Sequence, residues 1–355
     1  MDLDPASISA SRRRDIRDLL LPELEAMVAE AGQARFRAGQ IAQWLYARHV
    51  ESFAAMSNLP VEFREYLKLH FNLRPLALAA ANHSADGTVK LLLALEDRRE
   101  IESVIIPAPG RVTLCISSQA GCAMNCAFCA TAKMDLERNL TAAEIVGQVI
   151  AASHHLEQGQ HLTNYVFMGM GEPLANYPRL LRALTIMTAP WGLGISPRRI
   201  TVSTVGLVPM IEKLMADTPV HLAVSLTATT NELRNRLAPI NRRYPLEQLI
   251  ETCRRLDLGR RRITFEYVML AGVNDSPADA ARLARLLAPL RAKVNLIFFN
   301  HFAGSPFRPS SREAVERFQA ILFKANLTAT IRESRGQDIA AACGQLRVEH
   351  HAPAA

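Results

Sequence analysis

The sequence predicts an α/β protein: a partial (β/α)6 barrel preceded by a small helical domain and a β-hairpin. Three observations carry this. From about residue 108 onward, short β-rich runs alternate with amphipathic helical stretches over short connections, which implies parallel strands joined by right-handed crossovers. Residues 1–75 instead carry apolar positions at three-to-four spacing. Between them, short alternating runs break at Asp86-Gly87, as a hairpin would. The resulting division is a helical accessory domain over 1–75, a β-hairpin linker over 76–107, the barrel over 108–346 and a disordered tail over 347–355.

In the accessory domain, helical patterns cover 15–31, 36–50 (with Ile41, Trp44 and Leu45 on one face) and 53–71. The hairpin strands are read at 88–95 and 101–106. In the barrel, strands at 112–117, 165–168, 200–203, 222–225, 263–268, 294–298 and 328–331 alternate with helices at 141–157, 180–187, 208–215, 246–256, 277–290 and 312–325.

Of the 355 residues, 49% are hydrophobic and 21% charged, the composition of an ordinary soluble globular chain and not of a disordered one. No apolar run is long enough to span a bilayer, and the acidic start Met1-Asp2-Leu3-Asp4 does not suit a signal peptide, so a cytoplasmic protein without a membrane partner is expected. Six cysteines, three of them clustered, fit a reducing compartment better than a disulfide scaffold. The net charge of +7 gathers in arginine groups at 12–14, 98–99, 198–199, 242–243, 254–255 and 260–262. A guanidinium fork binds two phosphate oxygens at once, so these groups point toward a nucleic-acid partner.

The working residues of such barrels sit at the C-terminal ends of the strands. Five strand ends here carry unusual polar or glycine features: the cysteine run after the first strand, Gly169-Met170-Gly171-Glu172-Pro173 after the second, Ser203-Thr204-Val205-Gly206, Ser225-Leu226-Thr227, and Asn300. The glycines of 169–173 would let backbone approach a ligand closely, and Glu172 can accept from an ammonium. Ser203, Ser225 and Asn300 offer neutral hydrogen bonds suited to a carboxylate, a ribose and an adenine edge, in an order the sequence leaves open.

Cys122, Cys126 and Cys129 are spaced CxxxCxxC, with Phe128 before the third. Three thiolates hold three irons of a [4Fe–4S] cube and leave the fourth iron free to bind a substrate, whereas electron-carrying ferredoxins supply four cysteines per cluster. The rival is zinc or a disulfide; zinc spacings normally pair CxxC with a second CxxC or a histidine pair. Outside the triplet, Cys253 reads as a small buried hydrophobe on a helix. Cys115 lies inside the first barrel strand, and Cys343, among glycines and charged residues, has the setting of an accessible, reactive thiolate.

The triplet resembles that of the radical S-adenosylmethionine (SAM) superfamily, in which SAM chelates the open iron. Taken with Ser117–Thr131, Arg138–Thr141, Met168–Pro173, Ser203–Gly206, Asn300, Arg335-Gly336-x-Asp338 and Cys343–Leu346, the chain from about 36 to 346 is similar to the RlmN/Cfr family of radical SAM RNA methyltransferases. The resemblance implies a barrel of the radical SAM type, a [4Fe–4S] cluster on Cys122, Cys126 and Cys129, and two SAM molecules per turnover. It implies cofactor contacts at Gly171, Glu172, Ser203, Ser225, Leu226, Thr227 and Asn300.

It further implies that Cys343 is first methylated on sulfur. A radical made from the second SAM then takes hydrogen from that methyl, and the carbon adds to carbon 2 of an adenine. Glu102, otherwise an unremarkable exposed strand glutamate, matches the family's proton acceptor. Cys115 matches the residue that attacks Cys343 and leaves a disulfide. The implied substrates are 23S ribosomal RNA at the peptidyl-transferase loop and tRNA, with a flavodoxin-like or other low-potential reductant as electron source and a monomeric enzyme.

The sequence departs from the family pattern at Thr227, where histidine is usual, at Phe298, where proline commonly precedes the aromatic, and at Asn125 and Ala132, where glycine is frequent. These departures leave carbon-8 methylation, or another RNA, as the alternative. A non-catalytic iron–sulfur RNA-binding protein would have no use for Cys115 and Cys343.

Overall fold

A computed structural model describes residues 13–348. Arg12 and the tail from 349 onward lie outside the described residues. The accessory domain comprises α1 (Leu21–Glu30), α2 (Arg37–Tyr46) and α3 (Val61–His70), which bury Leu24, Val28, Ile41, Leu45, Phe63 and Leu67 against one another. It docks on the barrel helices α4 (Ala142–Ser153) and α5 (Tyr177–Thr188) through specific polar contacts. The Asp18 carboxylate accepts from the Ala143 backbone at the start of α4 (2.8 Å), and Arg182 of α5 donates to the Asp18 carbonyl (3.0 Å) and to Glu23.

The sheet has ten strands. β1 (Ala77–His83), β2 (Val89–Ala94), β3 (Glu100–Ala108) and β4 (Arg111–Cys115) pair antiparallel in sequence. The short strands β5 (Gln119–Ala120) and β6 (Arg138–Asn139) pair with each other outside it. From β4 the order continues in parallel through β7 (Asn164–Phe167), β8 (Ile200–Thr204), β9 (His221–Ser225), β10 (Ile263–Met269), β11 (Ala292–Phe298) and β12 (Ala329–Arg332). The order runs from β1 to β12 without closing, which makes six strand–helix units and a final strand: the open (β/α)6 barrel expected.

The crossovers are α4, α5, α6 (Val208–Asp217), α7 (Asn231–Leu237) with α8 (Leu246–Arg255), α9 (Pro277–Leu287) and α10 (Arg312–Lys324). Their placement follows from local chemistry. Thr141 and Glu144 form a capping box at α4, Ser276 and Asp279 another at α9, and Pro sits at N1 or N2 of α5, α6 and α9.

Three features differ from the expectation. Residues 76–107 are no separate linker, because β3 pairs with β4 from Val104↔Cys115 to Ala108↔Arg111 and so continues the barrel sheet. β1 is an added strand that its alanine-rich sequence hides, since Ala and Leu carry no alternation; it is exposed along most of its length, as an edge strand can be. The boundary at 347 also moves: the Arg347 backbone donates to Glu102 (2.8 Å) and Val348 is buried, so the ordered chain runs past it.

Candidate active site at the strand ends

The chain leaves β4 at Cys115 and loops over the C-terminal end of the sheet. There Cys122, Cys126 and Cys129 line a cavity of about 870 Å3, mouth included, within the roughly 300–1,000 Å3 usual for small-molecule sites. Asn125 turns this loop through the left-handed region (φ 53°), a conformation that asparagine tolerates better than most residues, which explains how it stands where glycine is frequent. The Ala127 backbone donates to the Leu237 carbonyl at the end of α7 (2.9 Å), fixing the loop on the far wall. Burial pushes the Cys122 thiol up to about 12 and Cys126 well above its usual range, with the neighbouring cysteines adding to the effect. Thiols held like this become thiolates when they bind cationic metal and release protons. Among the described residues no group of three or more His, Cys, Asp or Glu side chains is placed as a single ion requires; the three cysteines share the lining of one cavity.

The opposite wall comes from β7, β8 and β9. Gly169 and Gly171 are needed for a reason other than ligand approach. A Cβ on Gly169 would lie 2.6 Å from Ser117 Oγ and 2.9 Å from the Ile116 carbonyl, and one on Gly171 (φ 97°) would lie 2.5 Å from the Gln119 side chain. These glycines let the β7 loop press against the segment that follows β4. The Ser117 hydroxyl also accepts from the Met170 backbone (2.8 Å).

Glu172 accepts from the Val205 backbone (2.8 Å) and the Leu174 backbone (3.0 Å), tying the β7 loop to the β8 loop. Desolvation pushes its carboxyl up to about 7 even though these backbone donors oppose the shift. Ser203 and Ser225 both line the cavity. Leu226 and Thr227 are fully buried behind it and do not: Thr227 adopts φ 55°, and its carbonyl accepts from Asn274 (2.8 Å).

Sequence reasoning overlooked Glu266. It sits in the middle of β10, buried, on the cavity wall. The Ser203 hydroxyl donates to one of its oxygens (3.3 Å); the other has no hydrogen-bond partner and stands 3.9 Å from Arg332. Desolvation pushes its carboxyl up, against the pull of Arg332. A buried acceptor left without a donor is costly, so the cavity asks for a ligand that supplies one. An acid inside an otherwise apolar strand pattern was the available signal.

Cys343 lines this cavity and also a second one, which it shares with Cys115, Met168, Ile297, Asn300 and Ser334. All six cysteines are free, so the implied Cys115–Cys343 disulfide is not formed. Cys343 is exposed as expected, with its side chain set between the two cavities. Desolvation beside Glu266 and Cys115 raises its thiol far above the usual range, and burial pushes Cys115 up to about 12.

Asn300 does not line the cysteine-triplet cavity. Its amide donates to the Cys343 carbonyl (3.0 Å) and its oxygen accepts from Gln337 (2.8 Å), so it holds the segment that carries Cys343. That segment, 336–348, is strapped down elsewhere too: the Gly344 carbonyl accepts from Ala130 (2.7 Å) and the Leu346 carbonyl from Thr131 (2.6 Å). Glu102 is buried rather than exposed, paired with Lys90 (2.9 Å) and accepting from the Arg347 backbone. It stands on the same face of the sheet as Cys115, since Val104, two residues on, is the register partner of Cys115.

Residues 14–73 match the family model described as the ribosomal RNA large subunit methyltransferase N-terminal domain, and residues 116–284 that of the radical SAM superfamily. A dual-specificity RNA methyltransferase RlmN from Geobacter sulfurreducens is 52% identical over 334 residues, covering 94% of this chain and 92% of the relative. The chain belongs to the RlmN family of radical SAM RNA methyltransferases. A relative of the same description from Syntrophus aciditrophicus is 47% identical, covering 94% of this chain and 96% of its own length. The crystal structure of a radical SAM methyltransferase from Sphaerobacter thermophilus superposes with a TM-score of 0.90 at 47% identity, covering 95% of this chain and all of that one.

The family's cofactors are a [4Fe–4S] cluster and SAM, and the donor set fits both. The CxxxCxxC triplet, with Cys343 the only further thiol lining the cavity among the described residues, suits a cube with one open iron, and the carboxyls of Glu172 and Glu266 suit an ammonium and hydroxyl donors.

Proposed function

We propose that this chain methylates carbon 2 of an adenine in 23S ribosomal RNA, at the peptidyl-transferase loop, and in tRNA. It works in the cytoplasm as a monomer fed by a flavodoxin-like or other low-potential reductant. The observation that carries the reading is the position of Cys343, whose side chain borders both the triplet cavity and the cavity of Cys115. A methyl on its sulfur would face the cofactors on one side and an inserted base on the other.

When bound, the cluster and SAM supply the one-electron chemistry that removes a hydrogen from this methyl. Cys122, Cys126 and Cys129 hold the cluster; Gly171, Glu172, Ser203 and Ser225 shape the SAM side, with Glu172 receiving the ammonium. Ile106, Val166, Met168, Ile297 and Leu346 form the apolar side of the Cys115 cavity and keep water from the base. Once the carbon is joined to both the Cys343 sulfur and the base, Glu102 takes the proton from the base carbon while the adduct's one unpaired electron returns to the electron-transfer chain that started the reaction, which restores the aromatic base. Cys115, deprotonated, attacks the Cys343 sulfur; an S–S bond forms as the carbon–sulfur bond breaks, and the released methylene, keeping the electron pair, takes up a proton to become the methyl of the adenine. Low-potential reduction then returns both thiols.

RNA docking falls to the accessory domain. Phe36 is 62% exposed with the Arg37 guanidinium over its ring (5.1 Å), and Arg48 lies over Trp44 (4.4 Å), a pairing of cations and aromatic faces suited to phosphate and base. Among the described residues no helix is long and apolar enough to cross a membrane.

Nucleoside mass spectrometry of rRNA and tRNA, with and without the gene, tests the reading: 2-methyladenosine should vanish with the gene. An 8-methyl product would turn it to the carbon-8 branch, and no change in either RNA would remove it. Cys115→Ala should accumulate a covalent protein–RNA adduct.

A further inference from the structure

Arg234 is fully buried on α7. Its guanidinium donates to the carbonyls of Val205 (2.6 Å), Ser225 (3.3 Å) and Leu226 (3.3 Å) and to the side-chain oxygen of Asn241 (3.1 Å). All four acceptors are neutral, and among the described residues no carboxylate pairs with it. Burial lowers the group to about 10, which leaves it charged at neutral pH. A buried arginine almost always has a counter-ion, because an uncompensated cation in low dielectric costs several kcal/mol. Carbonyls need donors; they do not need charge. Hydrogen bonding therefore accounts for the fork of Arg234 but not for its positive charge.

The surroundings supply the missing anion. Val205, whose carbonyl takes the shortest of these bonds, packs with Ala238 against Cys126. The end of α7 is bonded to the cysteine loop through Leu237 and Ala127 (2.9 Å). Through Val205 the Arg234 guanidinium stands one residue away from Cys126. Three thiolates leave an iron–sulfur cube net negative, and each added electron deepens that charge, so a fixed cation close by stabilises the reduced form more than the oxidised one.

We infer that Arg234 is a positioning residue for the cluster: its permanent charge is the internal counter-ion of the thiolate-bound cube and raises the cube's reduction potential toward what a cellular reductant can supply. This rests on the assignment of the cluster to Cys122, Cys126 and Cys129. The fork serves a second purpose at the same time, since it ties the β8 and β9 strand ends into one wall.

The test is the midpoint potential of the reconstituted holoenzyme, read by redox titration with electron paramagnetic resonance. Arg234→Met removes the charge at similar volume, and the potential should become more negative with iron and sulfide content unchanged. Arg234→Lys keeps a charge and should stay near wild type even though lost hydrogen bonds lower its melting temperature. Should Arg234→Met not fold, Asn241→Asp sets a carboxylate against the guanidinium with little change in shape, and should also move the potential negative. A folded, cluster-loaded neutral or neutralised variant with wild-type potential overturns the inference and leaves Arg234 a clamp only. Wild-type protein that takes up no cluster overturns the cluster assignment itself, a failure visible before any variant is made.

Discussion

The carboxylates of the cavity and those of the C-terminal strap are driven in opposite directions. In the cavity, desolvation outweighs the available donors: Glu172 is pushed up to about 7, and Glu266 is raised as well. At the turn between β1 and β2, desolvation again opposes ionisation, but donors from Thr88 (2.9 Å) and Gly336 (2.9 Å) win and hold Asp86 down to about 2. Asp338, accepting from Ser84 (2.6 Å) and the Ala85 backbone (3.2 Å), is lowered for the same reason. The strap is a finished network of satisfied charges. The cavity is unfinished, and its raised groups mark where a ligand must bring what the protein withholds.

The sharpest way to break this comparison is to remove a group that only the cavity needs. Cys126→Ala should abolish iron and sulfide retention and reduce RNA methylation to background while the fold survives; iron analysis of anaerobically prepared protein and circular dichroism check both. Cys343→Ala should keep its cluster but lose the protein-bound methyl, read by intact mass.

A smaller effect is expected at the strap. Asp86→Asn with Asp338→Asn should free the 336–348 segment, seen as faster amide exchange there, and slow turnover by about 100-fold through misplacement of Cys343. Cluster content should not change, and a loss of iron would show that the two regions are one.

Next in size is Gly171→Ala, whose Cβ would drive into Gln119 at a left-handed position; a cost of about 1–3 kcal/mol in denaturant unfolding is expected.

The smallest effects are in pH dependence, and they differ in sign. Glu172 binds its proton more tightly folded than unfolded, so its contribution is present below about 4.5 and is lost as pH rises toward 7. Glu172→Gln should flatten that slope, worth at most roughly 3 kcal/mol. Asp86, held low, contributes above its ordinary 3.8 and loses the contribution as pH falls toward 2. Asp86→Asn should remove only this acid-side loss, and melting temperatures across pH 2–8 separate the two.

Much of the fold was legible because its strands are buried and β-rich and its helices amphipathic. All seven parallel strands fall within a few residues of where alternation put them. β1 escaped because alanine carries no period, and α7 because its seven polar-rich residues, Asn231–Leu237, are too few to show one. In the site, the cysteine triplet and the glycine–glutamate loop were visible as spacing and composition. Glu266 left a trace, an acid within Ile263–Met269, that went unread. Asn300 was found but misplaced: its neighbour is Cys343, 43 residues away, and no local pattern encodes that contact. Arg234 left no trace, since an arginine on a short polar helix is ordinarily solvated.

By itself the sequence determined the order of elements, the cysteine triplet and the two cysteines outside it, because periodicity, strand-end position and thiol spacing are properties of neighbours along the chain. Only the tertiary structure decided that Cys343 borders two cavities, that Glu102 is buried with Lys90, that the glycines of the β7 loop serve a close approach between loops, and that Arg234 is buried against Val205, the neighbour of Cys126, without a carboxylate. Burial and charge compensation are set by groups brought together from distant parts of the chain, and those energies, not the local propensities, distinguish a finished network from a site.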